Sequence, residues 1–145
     1  MMISTKGRYA LRVMIELAAR EQEGLVSLKE VAEHQEISEK YLEIIMKSLV
    51  QASLVVGLRG KGGGYRLARA PSDCTVAAIL RATEGTLAPV ACLEGEEIQC
   101  SRQSHCATLP VWRELDRRID EYLSSVTLEQ LAAQAAEQGG GRGGC

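Results

Sequence analysis

Apolar residues at Ala10, Val13, Met14, Leu17 and Ala18 mark one face of a helix over residues 4–20. Ser27-Leu-Lys-Glu30 has the spacing of a capping box and starts a short helix to about Gln35. Ile37 then sits in a turn, and Ser38 caps a helix to about Ala52 whose inner stripe is Leu42, Ile45, Met46 and Leu49. Glu36 occupies a turn position where glycine would be easier. Two short helices joined by a tight turn read as a helix-turn-helix. Leu54–Arg59 and Tyr65–Arg69 read as strands flanking Gly60-Lys-Gly-Gly-Gly64, a hairpin tip with cations at and beside it. After Pro71, Thr75 caps a helix from Val76 to Glu84, which Gly85 stops. Residues 86–108 show no periodicity. Pro110 opens a helix to about Leu123, with Trp112, Leu115, Ile119 and Leu123 along one stripe. Thr127-Leu-Glu-Gln130 is a second capping box, for a helix ending near Gln138.

A helix-turn-helix followed at once by a basic hairpin is a winged helix. The expected fold is therefore mainly α with a small β-hairpin wing. Residues 1–70 form the DNA-binding segment, residues 71–138 carry a helix, a cysteine loop and dimerisation helices, and residues 139–145 form a disordered glycine-rich tail. A length of 145 residues suits one domain or a small domain with an appended element. Aromatics are scarce, with no Phe, which favours a helix-rich aliphatic core. Gly60-Lys61 runs into glycines and a strand, not into Ser/Thr and a helix, so a nucleotide-binding loop is rejected. No apolar run approaches membrane-spanning length and no cleavable signal pattern is present, so a soluble cytoplasmic protein is expected.

Net charge is −2, which argues against a general nucleic-acid coat protein. The total hides an asymmetry: residues 1–70 carry +3 and residues 71–145 carry −5. That distribution suits a site-specific reader of double-stranded DNA. In a winged helix the second helix of the pair enters the major groove, so Ser38, Glu39, Lys40, Tyr41 and Glu43 are the candidate contacts. Ser38 and Tyr41 can donate to phosphates, Lys40 adds attraction, and Glu43 is costly near phosphates unless it accepts from a cytosine amino group, so it adds selectivity and not affinity. Arg59 and Lys61 can enter a minor groove, with Gly60 and Gly62 allowing close backbone approach. The plain alternative is a solvated helix face and an ordinary turn. The stripe Trp112, Leu115, Ile119 and Leu123 reads either as internal core or as the seam of a homodimer, which supplies two half-sites.

Cys92, Cys100 and Cys106 fall within the aperiodic stretch. Thiolates are soft ligands, suited to iron–sulfur clusters or zinc. Their seven- and five-residue gaps lack the close Cys-x₂₋₄-Cys pair usual in structural zinc sites. An iron–sulfur cluster, a thiol switch, zinc and inert cysteines are the open readings. Five cysteines is an odd number, and a reducing cytosol disfavours a disulfide framework. Cys74, at a helix start, reads as a small buried filler, and Cys145 on the tail as incidental. His105 beside Cys106 is either a solvent-facing loop residue or a further ligand, and Glu94, Glu96, Glu97 and Ser104 offer oxygen donors.

Taken together, S-T-K-G-R-Y-A-L-R near the start, I-S-E-K-Y-L-E, L-R-G-K-G-G-G-Y, the three-cysteine loop, W-R-E-L-D and V-T-L-E-Q-L span about residues 2–133. This text resembles the IscR-type family of bacterial winged-helix regulators, with its NsrR, RirA and CymR relatives. The resemblance implies a homodimer paired through the penultimate helices, with the loop beside that helix and near the partner's DNA-binding segment. It also implies an iron–sulfur cluster on Cys92, Cys100 and Cys106, and two positions depart from it. Where two-iron members carry a histidine this chain has Leu109, and where NsrR-type members carry an aspartate it has Arg8. The cysteine spacing is similar to RirA-type sequences, associated with a four-iron cluster, so two-iron and four-iron forms both stay open. A water or small thiol could complete the site. The resulting expectation is a dimeric repressor that senses iron–sulfur, iron, redox or nitrosative status. The alternatives are a cluster-free repressor controlled by thiol oxidation or a protein partner, and an iron–sulfur electron carrier or enzyme. No nucleotide motif supports the last, and His34 has no evident catalytic partner.

Overall fold

The structure is a computed structural model that describes residues 2–98 and 100–139. The tail from residue 140, including Cys145, lies outside the described residues. Among the described residues, six α-helices and one hairpin follow in the order α1 (Thr5–Ala19), α2 (Leu28–Gln35), α3 (Glu39–Gln51), β1 (Val55–Leu58), β2 (Gly64–Leu67), α4 (Val76–Glu84), α5 (Leu109–Ser125) and α6 (Leu128–Glu137). No helix among the described residues is long and apolar enough to cross a membrane.

Side-chain caps start most of the helices. Ser4, Ser27, Ser38, Thr75 and Thr127 each accept a backbone N–H from their helix's first turn. Thr127 and Gln130 complete the expected reciprocal capping box. Ser27 and Glu30 supply only half of theirs. Ser27 Oγ accepts from Glu30 N at 3.2 Å, but the Glu30 carboxylate turns to Arg20 Nη2 at 2.6 Å. A charge-assisted bond to guanidinium outcompetes one to a neutral amide.

The core is built where the apolar stripes meet. Ala10, Val13, Met14 and Leu17 of α1 pack with Val31 of α2, with Leu42, Ile45, Met46 and Leu49 of α3, and with Leu54 and Leu67 at the hairpin. Each fully buried aliphatic side chain contributes roughly 1.5–3 kcal/mol relative to exposure. Cys74, Ile79 of α4 and Leu128 of α6 belong to the same cluster, so the segments before and after residue 70 share one core. Backbone pairing joins them further, through Val76 N to Val126 O at 3.0 Å and Leu128 N to Cys74 O at 2.8 Å. A second cluster, Val76, Ala77, Leu80 and Leu87, is covered by Ile119, Leu123 and Val126.

The hairpin is antiparallel, with Val55 opposite Leu67 and Gly57 opposite Tyr65. Its strands are shorter than the apolar runs suggested: β1 covers only Val55–Leu58, and β2 starts inside the glycine run at Gly64 and stops at Leu67. Val26 exchanges two backbone bonds with Tyr65 and adds a bridge to the outer edge of β2. A Cβ on Gly64 would stand 2.4 Å from Val26 O, which is why glycine occupies this crossing.

Candidate nucleic-acid interface and cysteine loop

The turn between α2 and α3 is closed by Glu36 in the left-handed region, at φ 56°. Buried Ile37 then plugs the turn, its N–H donating to Ala32 O at 3.0 Å. Arg12 reaches from α1 to the end of α2. It donates to Gln35 Oε1 at 3.1 Å and to Gln35 O, while its guanidinium lies 4.9 Å from the Tyr9 ring centroid. The Tyr9 ring meets Tyr41 of α3 edge-on at 6.0 Å. Such a pair contributes about 0.5–1.5 kcal/mol beyond its burial. Lys6 Nζ donates to Ser48 Oγ at 2.8 Å, so α1 holds α3 at a second point.

This scaffold presents one outward surface. Ser38, Glu39, Lys40, Glu43 and Lys47 of α3 are exposed, and so are Arg59, Gly60, Lys61 and Gly62 at the wing tip. Tyr41 is half-buried against Tyr9, so its ring anchors the helix and only its outer edge faces solvent. A cleft between α3 and the wing is lined by Glu43, Lys47, Val50, Gly57, Leu58 and Arg59. Lys47 escaped the sequence reading, which concentrated on the first turn of the helix. Its spacing of seven residues from Lys40, off the apolar stripe of Leu42, Ile45, Met46 and Leu49, was the available signal.

α5 is long and little covered, with Leu109 its one buried residue. Trp112 is half-buried, its Nε1 donating to Thr108 Oγ1 at 3.2 Å. Ile119 and Leu123 pack on the second cluster of their own chain. Leu115 is exposed, in line with Val111 and Tyr122, which are 58% and 59% exposed. The apolar arc of α5 is thus wide enough for two partners. One edge covers α4, and the other stands in solvent.

The loop from residue 86 to residue 108 contains two single-turn 3₁₀ segments, Ala91–Leu93 and Gln103–His105. Cys92 and Cys106 are half-buried, and Cys100 and His105 are exposed. Cys100 lines an open cleft with Ser101, Gln103, Ser104 and Arg113. Among the described residues, no group of three or more His, Cys, Asp or Glu is placed to hold a metal ion. By chemical kind the three thiols suit an iron–sulfur cluster, but as arranged here they do not form its cradle. Leu109 is buried and Arg8 is exposed, hydrogen-bonded to Thr5 Oγ1 at 3.2 Å.

Cys106 and Cys74 sit in opposite thiol environments. The Thr108 hydroxyl, 3.5 Å from Cys106 Sγ, is the main cause that holds this thiol below its usual range, assisted by the backbone N–H groups of Thr108 and Leu109. Burial pushes Cys74 up, against a smaller opposing effect of Arg69. A lowered thiol pKa means more thiolate at a given pH, and thiolate is the nucleophile. Iodoacetamide is therefore expected to label Cys106 of the metal-free protein ahead of Cys74 at neutral pH. The rate at Cys106 should rise through a lower pH range than that of a free cysteine. Peptide mass spectrometry reads both, and equal rates at the two cysteines would contradict the assignment.

One further contact ties the loop's base to the start of α1. Glu84, the last residue of α4, accepts from Ser4 N at 3.1 Å and Ser4 Oγ at 2.5 Å. Gly7 makes room for it, since a Cβ there would lie 2.3 Å from Glu84 Oε1.

Comparison with known proteins agrees with this architecture. The family model described as Rrf2, iron-dependent transcriptional regulator, matches residues 3–134. The chain is 42% identical to the solved structure of CymR, the global cysteine regulator of Bacillus subtilis, covering 92% of this chain and 98% of that one with a TM-score of 0.74. It is 38% identical to the IscR structure from T. potens, covering 95% and 90% with a TM-score of 0.71. The oxidized form of Staphylococcus aureus CymR is 34% identical, covering 91% and 96% at a TM-score of 0.68. The CymR and IscR relatives are HTH-type transcriptional regulators, which supports regulation over the enzyme alternative. With a helix-turn-helix, a basic wing and a family match over nearly its whole length, the chain belongs to the Rrf2 family of transcription regulators.

Proposed function

We propose that this protein is a cytoplasmic homodimeric repressor that reads a specific double-stranded operator with α3 and its wing, under the control of Cys92, Cys100 and Cys106. The observation that carries the reading is the shared exposure of α3's outer face and the wing tip, with Lys47 and Arg59 lining one cleft and Lys40 and Lys61 exposed on the same helix and the same tip. These cations sit on a chain whose net charge is −2, so the attraction to phosphate is local. Ser38 and the lysines position the helix, and Glu43 penalises any base edge that offers it no donor. Val111, Leu115 and Tyr122 form the seam between protomers and place two heads on two half-sites. Removing one phosphate contact lowers the slope of log affinity against log salt by about 0.9. Lys40→Ala, Lys47→Ala and Lys61→Ala are each expected to do so, weakening selected and random duplexes alike. Unchanged slopes for all three would take α3 and the wing off the DNA.

In the same reading, Cys92, Cys100 and Cys106 would hold an iron–sulfur cluster, whose binding would have to gather thiols that stand apart without it. When bound, it supplies iron–thiolate bonds that respond to iron supply, oxidants or nitric oxide. The chain's own residues do the rest. Thr108 keeps Cys106 toward the thiolate that ligation requires. Glu84 carries the loop's order to Ser4 and so to the start of α1, and Lys6 passes it to α3. The output is a ligand-biased equilibrium between two placements of the heads. The reactive Cys106 favours a second reading, in which two loop thiols close a disulfide and pass two electrons and two protons to a peroxide. Anaerobic purification with iron, sulfide and visible-absorption measurements separates the two. Colourless, iron-free protein after reconstitution eliminates the first.

A further inference from the structure

Ile44 is 49% exposed on the helix assigned to the major groove. A single exposed aliphatic residue is ordinary on a protein surface. Its surroundings make this one different. Leu42, Ile45, Met46 and Leu49 are fully buried, and at 3.6 residues per turn Ile44 stands almost opposite their mean direction. Lys40 precedes it by four residues, Lys47 follows by three and Gln51 by seven, all exposed. Ile44 is therefore an apolar crest on the outermost line of α3, with a cation on either side to draw in phosphates.

We propose that Ile44 is a specificity-determining residue that reads the C5-methyl group of a thymine in each half-site. The proposal rests on the DNA-reading assignment above and deepens it. Of the groups on major-groove base edges, only that methyl is apolar. An isoleucine with no polar atom discriminates by excluding water from it. The side chain contributes no phosphate contact, so its part is confined to sequence choice.

The test uses the full chain and a duplex selected by it from a random-sequence pool, with each thymine replaced in turn by uracil. That exchange removes the methyl and leaves base pairing intact. For the wild type, uracil at one position of a half-site is expected to cost about fourfold in affinity, and at both half-sites roughly fifteenfold. Ile44→Ala, at an exposed helical site that tolerates alanine, should bind both duplexes equally and keep the wild-type salt slope. A wild type indifferent to every replacement overturns the proposal, as does an Ile44→Ala protein that keeps the penalty. A pool that yields no preferred sequence overturns the DNA-reading assignment itself, and this proposal with it.

Discussion

Replacing Leu115 and Tyr122 by glutamate is expected to give a folded monomer whose affinity for a two-half-site duplex has fallen by about 10²–10⁴-fold. Both side chains stand in solvent, 41% and 59% exposed, so the chain's own core loses nothing. Around them the polar face of α5 is already self-paired. Glu114 accepts from Arg117 and Arg118, Arg117 also meets Glu121, and Asp120 meets Arg81 from α4. Much of that face's charge is thus paired within the chain, while Val111, Leu115 and Tyr122 stay exposed. Two buried carboxylates at a two-fold seam would face two more from the partner, at a cost no surface ion pair offsets. Light scattering and duplex titration read the outcome. A dimer that survives both substitutions would move the seam elsewhere. Ile119→Glu makes the contrast, because Ile119 covers Leu80 and Leu87 and its loss should damage the fold itself.

Cys92→Ala, Cys100→Ala and Cys106→Ala should each strip anaerobically purified protein of most of its iron and sulfide, and make its operator affinity indifferent to iron and oxidant. Cys74→Ala should do neither, because Cys74 is 2% exposed inside the core. The contrast follows from the loop's position. Its thiols lie on a stretch with no buried described residue, whereas Cys74 is packed in the core cluster. Iron assay and electrophoretic titration of the four variants check this. Full iron retention by Cys106→Ala would remove the loop as the cluster's site. An iron-free wild type that releases DNA on peroxide treatment would leave the loop as a thiol switch.

The helix-turn-helix and hairpin were legible because local rules dominate there. Ser38, Ile37 and the stripe on α3 each announce their place through spacing, and the glycine tip can only be a turn. Glu36 was legible too, as a residue placed where its backbone is strained. The α5 face was half legible. Trp112, Leu115, Ile119 and Leu123 mark an apolar arc, but periodicity does not say which edge its own chain covers, and Val111 and Tyr122 fell outside the chosen stripe. The Ser27 box failed on its second half because Arg20, ten residues from Glu30, was a stronger partner. The Glu84–Ser4 clasp spans 80 residues and leaves one trace, a glycine within a helix at position 7. As for the cysteines, spacing supplies ligand types and not their meeting, which depends on what they hold.

From Ala88 to Thr108 no described residue is buried, while α4 and α5 on either side are fixed by side chains that belong to the helices. The stretch therefore has no structural duty beyond joining two anchored ends. Doubling such a connection costs only about 0.6 kcal/mol in closure entropy. Its length, its spacing of donors and even its chemistry can drift without disturbing the domain that reads DNA. In this scaffold the signal is an exchangeable part: a lineage can replace what it listens to while keeping what it says.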